Sequence, residues 1–332
     1  MAQNKWQKDN VLKEKKMDIP QELKDAIQKV STGIKHTNIV EESQKISKMY
    51  RENDGKGKKM VTQQSEAMAY SISRMPSTYC AVYSALSQAI KNHDEEIKTV
   101  LDIGAGTGAA TWAVLNLLDV NKVTCLEREK AMREIGNKLM DGEFKNVEWK
   151  EFDLNEDEIE EKADLVVTSY VINELNQQDR EKAIKKMWNA TNQILLIIEP
   201  GTPEGFKHIL EARNILLKQN VNIIAPCSHN GKCPINPEDD WCSFYVRVAR
   251  SGLQRQAKKG ELGYEDEKFS YIAFAKTSSA NGQARILRHP QINSGYVKVK
   301  ICTENGVEEK IYSKKDGEIY KKVRKLDAGD TI

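Results

Sequence analysis

From Thr99 onward the chain alternates short apolar runs with stretches of helical periodicity, and few architectures accommodate that order. Strand candidates are residues 100–103, 122–127, 147–152, 163–169 and 193–199. Helical stretches separate them at 108–118, 130–140, 177–191 and 204–219. A strand followed by a helix and another strand pairs in parallel with its predecessor, which predicts a mostly parallel sheet covered on both faces. The runs are short and apolar, as strands buried from both sides must be.

The remainder divides around this core. Residues 1–97 read as a helical N-terminal region, with apolar stripes at Leu23, Ile27 and Val30 and at Ile39, Ile46 and Tyr50. Residues 53–59 form a turn or mobile loop, and Pro76 opens a helix whose stripe is Tyr79, Val82, Tyr83 and Leu86. The core spans 98–225. Residues 226–260 hold a cysteine-rich loop and a basic helix over 244–259, and 261–284 hold a further strand (269–276) and a linker. Residues 285–332 form a small β appendage. There, 296–302 alternate, Asn305-Gly306 marks a hairpin turn, and 310–312 with 319–323 suggest more hairpin. The acidic run at 151–161 is a solvated face.

Gly104-Ala105-Gly106-Thr107-Gly108 follows the first strand, opens a helix, and is trailed by Glu127 at the end of the next strand. Glycines permit a tight turn and close backbone approach, and a carboxylate at Glu127 can accept both hydroxyls of a ribose. The Gly-x-Gly-x-Gly spacing after Asp102 differs from the dinucleotide fingerprint and suits S-adenosylmethionine, which has no pyrophosphate. Asp102 is expected near the amino group of its methionine moiety and Asp153 near the adenine amino group. The plain alternative is a structural turn with no ligand. The fold class expected is α/β, a class I S-adenosylmethionine-dependent methyltransferase fold of Rossmann-like type. It would carry the N-terminal helical region, a cysteine-rich metal-binding insertion and the β appendage.

Cys227, Cys233 and Cys242 share a segment rich in Pro, Asn and Gly, which cannot bury thiols in a packed core but can fold around a metal. Four thiolates are the usual requirement, and Cys302 is the best fourth. Loop-closure entropy grows only logarithmically with length, so its distance along the chain is no obstacle. His229 is an alternative. Cys80 and Cys125 sit among apolar neighbours and read as core residues. The chain lacks the Cys-x(2–4)-Cys knuckles of structural zinc, and its wide, uneven spacing suits a [4Fe–4S] cluster better, with zinc as the alternative. Radical S-adenosylmethionine chemistry would need a compact Cys-x3-Cys-x2-Cys loop, which is absent.

At 39% hydrophobic and 30% charged residues, the 332-residue chain has the balance of a globular protein, and its net charge of +2 does not mark a nucleic-acid binder. No apolar run approaches a membrane span, and the first residues lack the apolar stretch of a secretory signal. A cytoplasmic protein with reduced thiols is expected.

The block from Cys227-Ser-His through Cys233-Pro to Asp240-Trp-Cys242-Ser-Phe, followed by Arg247 and Arg250, resembles the mitochondrial small-ribosomal-subunit assembly proteins and their bacterial relatives. These are methyltransferase-like proteins first described as ribosomal components. Arg74-Met-Pro-Ser-Thr-Tyr79, the Leu101–Gly108 turn, Trp112-Ala113, Glu174-Leu175, Ile198-Glu-Pro-Gly-Thr-Pro-Glu-Gly-Phe206, Ala212-Arg213 and Cys302-Thr303 extend the likeness. The ending from Tyr320 to Asp330 also fits. Ser228 stands where the family usually has proline, and Ala328 where it usually has tryptophan; neither is a ligand. The resemblance runs from about residue 70 to the end. It implies a [4Fe–4S] cluster on Cys227, Cys233, Cys242 and Cys302, S-adenosylmethionine binding, and association with small-subunit rRNA of the 16S type. A monomer away from the ribosome is expected.

Residues 244–260 hold Arg247, Arg250, Arg255, Lys258 and Lys259 without an acid, and 296–325 hold nine Lys/Arg against five Asp/Glu. Both can neutralise phosphates. No catalytic residue is assignable. After the fourth strand, Thr168-Ser-Tyr-Val-Ile-Asn-Glu174 lacks the prolines of amino-methylating enzymes, and no cysteine nucleophile is nearby. Tyr170, Asn173, Glu174 and Glu199 can line an acceptor pocket. A factor that binds cofactor without transferring methyl and an active rRNA methyltransferase both remain open.

Overall fold

In the structure, a computed structural model that describes residues 16–32, 36–52, 61–258, 260–277 and 283–332, four helices precede the first strand. They are α1 (Gln21–Ser31), α2 (His36–Glu52), α3 (Gln64–Ser73) and α4 (Met75–Ala89), the last with Pro76 in its first turn. Leu23, Ile27, Ile39 and Ile46 are buried, as helical spacing requires of one stripe. The loop expected at 53–59, the side chain of Tyr50 and Lys259 lie outside the described residues.

Five parallel strands follow: β1 (Thr99–Ile103), β2 (Lys122–Glu127), β3 (Val147–Glu151), β4 (Ala163–Ser169) and β5 (Thr191–Pro200). Helices α5 (Ala109–Leu117), α6 (Lys130–Met140), α7 (Gln177–Asn189) and α8 (Pro203–Leu217) connect them and lead out of β5. The chain then adds β6 (Asn222–Ala225), β7 (Phe244–Ala249), the short helix α9 (Gly252–Lys258) and β8 (Tyr264–Ala275). The sheet order is β3-β2-β1-β4-β5-β8-β6, with β8 antiparallel to both neighbours. A doubly wound sheet with one reversed strand inserted next to the last is the class I methyltransferase arrangement.

Along β5 the side chains alternate between two cores. Ile194, Leu196 and Ile198 pack under α3, α4, α5 and α6, while Leu195 and Ile197 pack under α7 and α8. Period-two alternation delivers apolar groups to both faces, which fixes the register of every strand, since a one-residue slip would exchange the cores.

Two expectations are corrected. Residues 244–259 are not one basic helix: 244–249 are strand β7, and only Gly252–Lys258 are helical. Phe244, Val246 and Val248 are buried in alternation with Tyr245 and Arg247, so period two decides the matter where the charges suggested a solvated helix. This strand pairs with the N-terminal half of β8, Phe244↔Phe269 to Ala249↔Tyr264, and Met17 bridges to Val248 on its other edge. Residues 319–323 are likewise not hairpin. They belong to helix α10 (Glu318–Val323), whose Tyr320 and Val323 stand three residues apart and pack together into the appendage core.

That appendage is a four-stranded sheet of β9 (Arg285–Ile286), β10 (Gln291–Ile292), β11 (Tyr296–Thr303) and β12 (Gly306–Ser313). Val297, Val299 and Ile301 face α10, so Tyr296, Lys298, Lys300 and Cys302 project from the opposite side.

Candidate functional site

The cleft opens where the strand order reverses, between the C-terminal ends of β1 and β4, the usual ligand position in such sheets. The glycine turn reaches it because Gly104 (φ +69), Gly106 (φ +56) and Gly108 (φ +88) all adopt left-handed backbone. A Cβ on Gly104 would stand 2.3 Å from Val171, whereas one on Gly106 would only touch the Tyr70 ring at 4.0 Å. Glu127 closes the turn, one oxygen accepting from Gly106 N (2.8 Å) and the other from Glu129 N (2.7 Å). Each carboxylate oxygen keeps a lone pair for a further donor.

A cavity of about 950 Å³ is lined by Gly104, Gly106, Glu127 and Asp153 from the predicted cofactor set. Asp153 faces Arg128 at 3.7 Å. Asp102, Ala105, Thr107 and Gly108 are not in its lining. Asp102 is fully buried, where one oxygen accepts from Thr111 N (3.0 Å) and Thr111 Oγ1 (2.7 Å) and the other has no partner. Burial pushes its carboxyl up to about 7. It therefore pins the N-terminal end of α5 from behind the turn.

Tyr170, Asn173 and Glu174 reach the cavity, and Glu199 lies just beneath it. Burial, then the neighbouring Glu127, pushes Glu174 to about 7; burial pushes Glu199 to about 8. Glu199 accepts from Ile172 N (3.1 Å) through one oxygen, and its other oxygen has no partner. Tyr170 holds a strained φ of +61 and donates to Glu267 (2.9 Å), which faces Arg74 at 4.0 Å. Ser43, Gln44 and Ser47 of α2 also line the cavity. Neither Glu267 nor these α2 residues carried a sequence signal, because they arrive from distant segments.

Cys227, Cys233, Cys242 and Cys302 line one small second cavity together with His229, Arg213 and Arg285. All four are free thiols. Three anchors bring them together. Ser270 Oγ donates to Cys242 O (2.8 Å), Ser228 Oγ donates to Cys302 O (3.3 Å), and Arg213 donates to the carbonyls of His229 and Gly231. Arg285 ties the appendage to the loop through Pro226 O (2.5 Å) and is held within the appendage by Gly329 O (2.6 Å). Trp241 packs against the apolar cluster of Phe206, Ile235, Leu287 and Cys302 and donates to Gly201 O (3.1 Å). Burial, then the neighbouring thiols, raises Cys242 well above the ordinary thiol range, and Cys302 is pushed up to about 12 by burial and the same neighbours. Both nitrogens of His229 lack partners, and burial, then Arg213, lowers its pKa from the ordinary imidazole value. Cys80 and Cys125 are buried elsewhere, in α4 and β2. Among the described residues, no three His, Cys, Asp or Glu side chains are arranged to hold a single metal ion.

Three of the five basic residues expected to form an unbalanced patch over 244–260 are neutralised. Arg247 pairs with Asp266 (2.7 Å), and Arg250 and Lys258 pair with Glu265 (2.8 and 2.7 Å), so β8 supplies the missing acids.

Residues 64–332 match the family described as mitochondrial small ribosomal subunit Rsm22. The human ribosome assembly protein METTL17, mitochondrial, is 25% identical over 262 residues, covering 72% of this chain and 56% of the relative. The Rsm22-cox11 tandem protein 2, mitochondrial, of Schizosaccharomyces pombe is 24% identical over 324 residues, covering 80% of this chain and 43% of the relative. The chain thus spans about half the length of the curated relatives it matches. Among solved structures, magnesium protoporphyrin IX methyltransferase of Synechocystis with bound SAM aligns with a TM-score of 0.42 at 11% identity over 74% of this chain and 99% of that one. The N-methyltransferase NodS of Bradyrhizobium japonicum with S-adenosyl-l-homocysteine aligns with a TM-score of 0.40 at 12% identity, over 59% and 86%.

Proposed function

Because the chain belongs to the mitochondrial small ribosomal subunit Rsm22 family, we propose that it is an assembly factor of the small ribosomal subunit. In this reading it binds S-adenosylmethionine in the glycine-turn cleft and a [4Fe–4S] cluster on Cys227, Cys233, Cys242 and Cys302. It acts in the cytoplasm as a monomer on 16S-type rRNA. The observation that carries the reading is the four-thiol cavity, to which the C-terminal appendage contributes one thiol and the core loop three. The donor set fits the group. The four thiols carry the negative charge of a cluster once deprotonated, and Arg213 and Arg285 stand in the wall to offset it. Apolar Ile235 and Leu287 keep water away. A cluster there would supply cross-linking of appendage to core, so folding and RNA association depend on it together.

The cofactor reading is supported by Gly106 and Glu127, whose backbone and carboxylate line the cleft beside Asp153. An active rRNA methyltransferase is the second reading, favoured by Glu174, whose raised pKa suits proton transfer near neutral pH. The decisive experiment is anaerobic purification with iron, sulfide and zinc analysis. About four irons per chain, brown absorbance and loss of both in Cys302→Ser are expected; a colourless zinc protein refutes the cluster. Transfer of a labelled methyl group to immature small subunits separates the enzyme from the inactive factor.

A further inference from the structure

Four of the five large apolar side chains exposed among the described residues belong to the appendage: Ile292, Tyr296, Ile311 and Ile319. Single exposed apolar residues are ordinary; Ile319 belongs to α10 and Ile292 pairs with Val297 on the core face, which leaves Tyr296 and Ile311 together on the outer face. Tyr296 is 40% exposed and Ile311 59%. Lys298 pairs across the strands with Ile311, and Tyr296 with Ser313, so Tyr296 and Ile311 are diagonal neighbours on one face. One end of that face is closed, with Cys302 in the thiol cavity and Lys300 bonded to Asp240 (2.8 Å). The other end is open. Lys314 N donates to Gly295 O (3.1 Å), which sets Lys314 beside Tyr296. Lys298 is held by Glu309 (2.7 Å), whereas Lys314 and Lys315 carry no ion pair among the described residues.

We propose that this open end is a platform for single-stranded RNA, with Tyr296 stacking on an unpaired base and Lys314 and Lys315 meeting phosphates. The inference rests on the RNA reading above and specifies its form. An aromatic ring on an antiparallel sheet, flanked by unpaired lysines, matches the chemistry of a base and its phosphate. At this end Lys298, Lys314 and Lys315 stand against Glu309 and Asp316, and the net positive charge beside the apolar ledge favours a polyanion over a protein partner. Paired bases inside a duplex cannot reach a tyrosine, so the platform discriminates strand state.

The test uses the full chain, a fluorescent unstructured oligouridine of about 12 nucleotides and an RNA duplex of equal length. Tyr296→Ala should weaken single-strand binding about 5–20-fold, leave duplex binding and circular dichroism unchanged, and be rescued by Tyr296→Phe. Joint Lys314→Ala and Lys315→Ala replacement should lower the slope of log affinity against log salt by about 1.4. If the wild type binds RNA and Tyr296→Ala binds the oligouridine equally well, the platform is wrong and the RNA reading survives. If the wild type binds neither RNA at low salt, both fail. If Tyr296→Ala loses only association with small-subunit proteins, the surface belongs to a protein partner and the platform is overturned.

Discussion

Replacing Glu265 by glutamine should unlock the wall between the cleft and the β7–β8 hairpin. The carboxylate receives Lys258 on both oxygens (2.7 Å each), Arg250 (2.8 Å), Gln254 (3.0 Å) and the hydroxyl of Ser77. Burial by itself would raise its pKa, but Lys258, Ser77 and Arg250 outweigh burial and hold it at about 2, against an ordinary 4.5. Lys258 is pulled below its ordinary value by its own burial, although Glu265 opposes this. The two partners therefore disagree on the pair's worth. The carboxylate is the better gauge, because it gathers several donors while the lysine mainly loses water. A carboxyl held at about 2 instead of 4.5 corresponds to about 3 kcal/mol at neutral pH. Removing one partner of a buried pair costs about 3–5 kcal/mol, which agrees. The folded pKa is depressed, so this stability is present above pH 4.5 and is lost as pH falls toward 2. Urea unfolding followed by tryptophan fluorescence should give a gap between wild type and Glu265→Gln of about 3 kcal/mol at pH 7 and about 2 kcal/mol at pH 3.5. A gap below about 1 kcal/mol at pH 7, or one that does not narrow at acid pH, refutes the reasoning.

Asp102→Asn tests the buried carboxylate behind the glycine turn. Its folded pKa is raised to about 7, so its contribution is present below 3.8 and lost as pH rises through 7. The variant should gain on wild type between pH 5 and pH 8 in thermal melts; a constant difference would show that the group does not titrate in the native state. Gly205→Ala should destabilise by about 1–3 kcal/mol, because its Cβ would stand 2.0 Å from the backbone oxygen of Pro200. Gly252→Ala, with nothing within 4 Å, is its control and should leave the melting temperature within a few degrees. Equal losses in both would dismiss the steric account.

What the sequence exposed and what it concealed have physical causes. Strands β2 and β4 are legible to the residue, since apolar runs end abruptly at charged or polar groups. The glycine turn and Glu127 are local features, tied together by the parallel pairing of β1 with β2. Strand β6 is only four residues long and abuts the cysteine loop, so periodicity had too little length to register. The first residues of β8 look polar because they pair only with β7, beyond the reach of β5 and β6, and there Glu265 and Glu267 serve as ion-pair partners. No local pattern announces that Ser77 and Glu265 meet, because 188 residues separate them. The thiols were visible as a cluster, but their closure depends on Arg213 and Arg285, which read as ordinary basic residues yet are buried.

Strand β6 leaves the ribosome before β8, yet in the sheet its hydrogen-bonded neighbour is β8 alone. A nascent chain therefore carries Cys227, Cys233 and Cys242 on a segment with no docked strand beneath it until Ala275 has been made. Even then Cys302 is still to come. On the proposed cluster reading, delivery waits until Cys302 has been made, and a donor arriving early would meet three thiols in an unfinished cup.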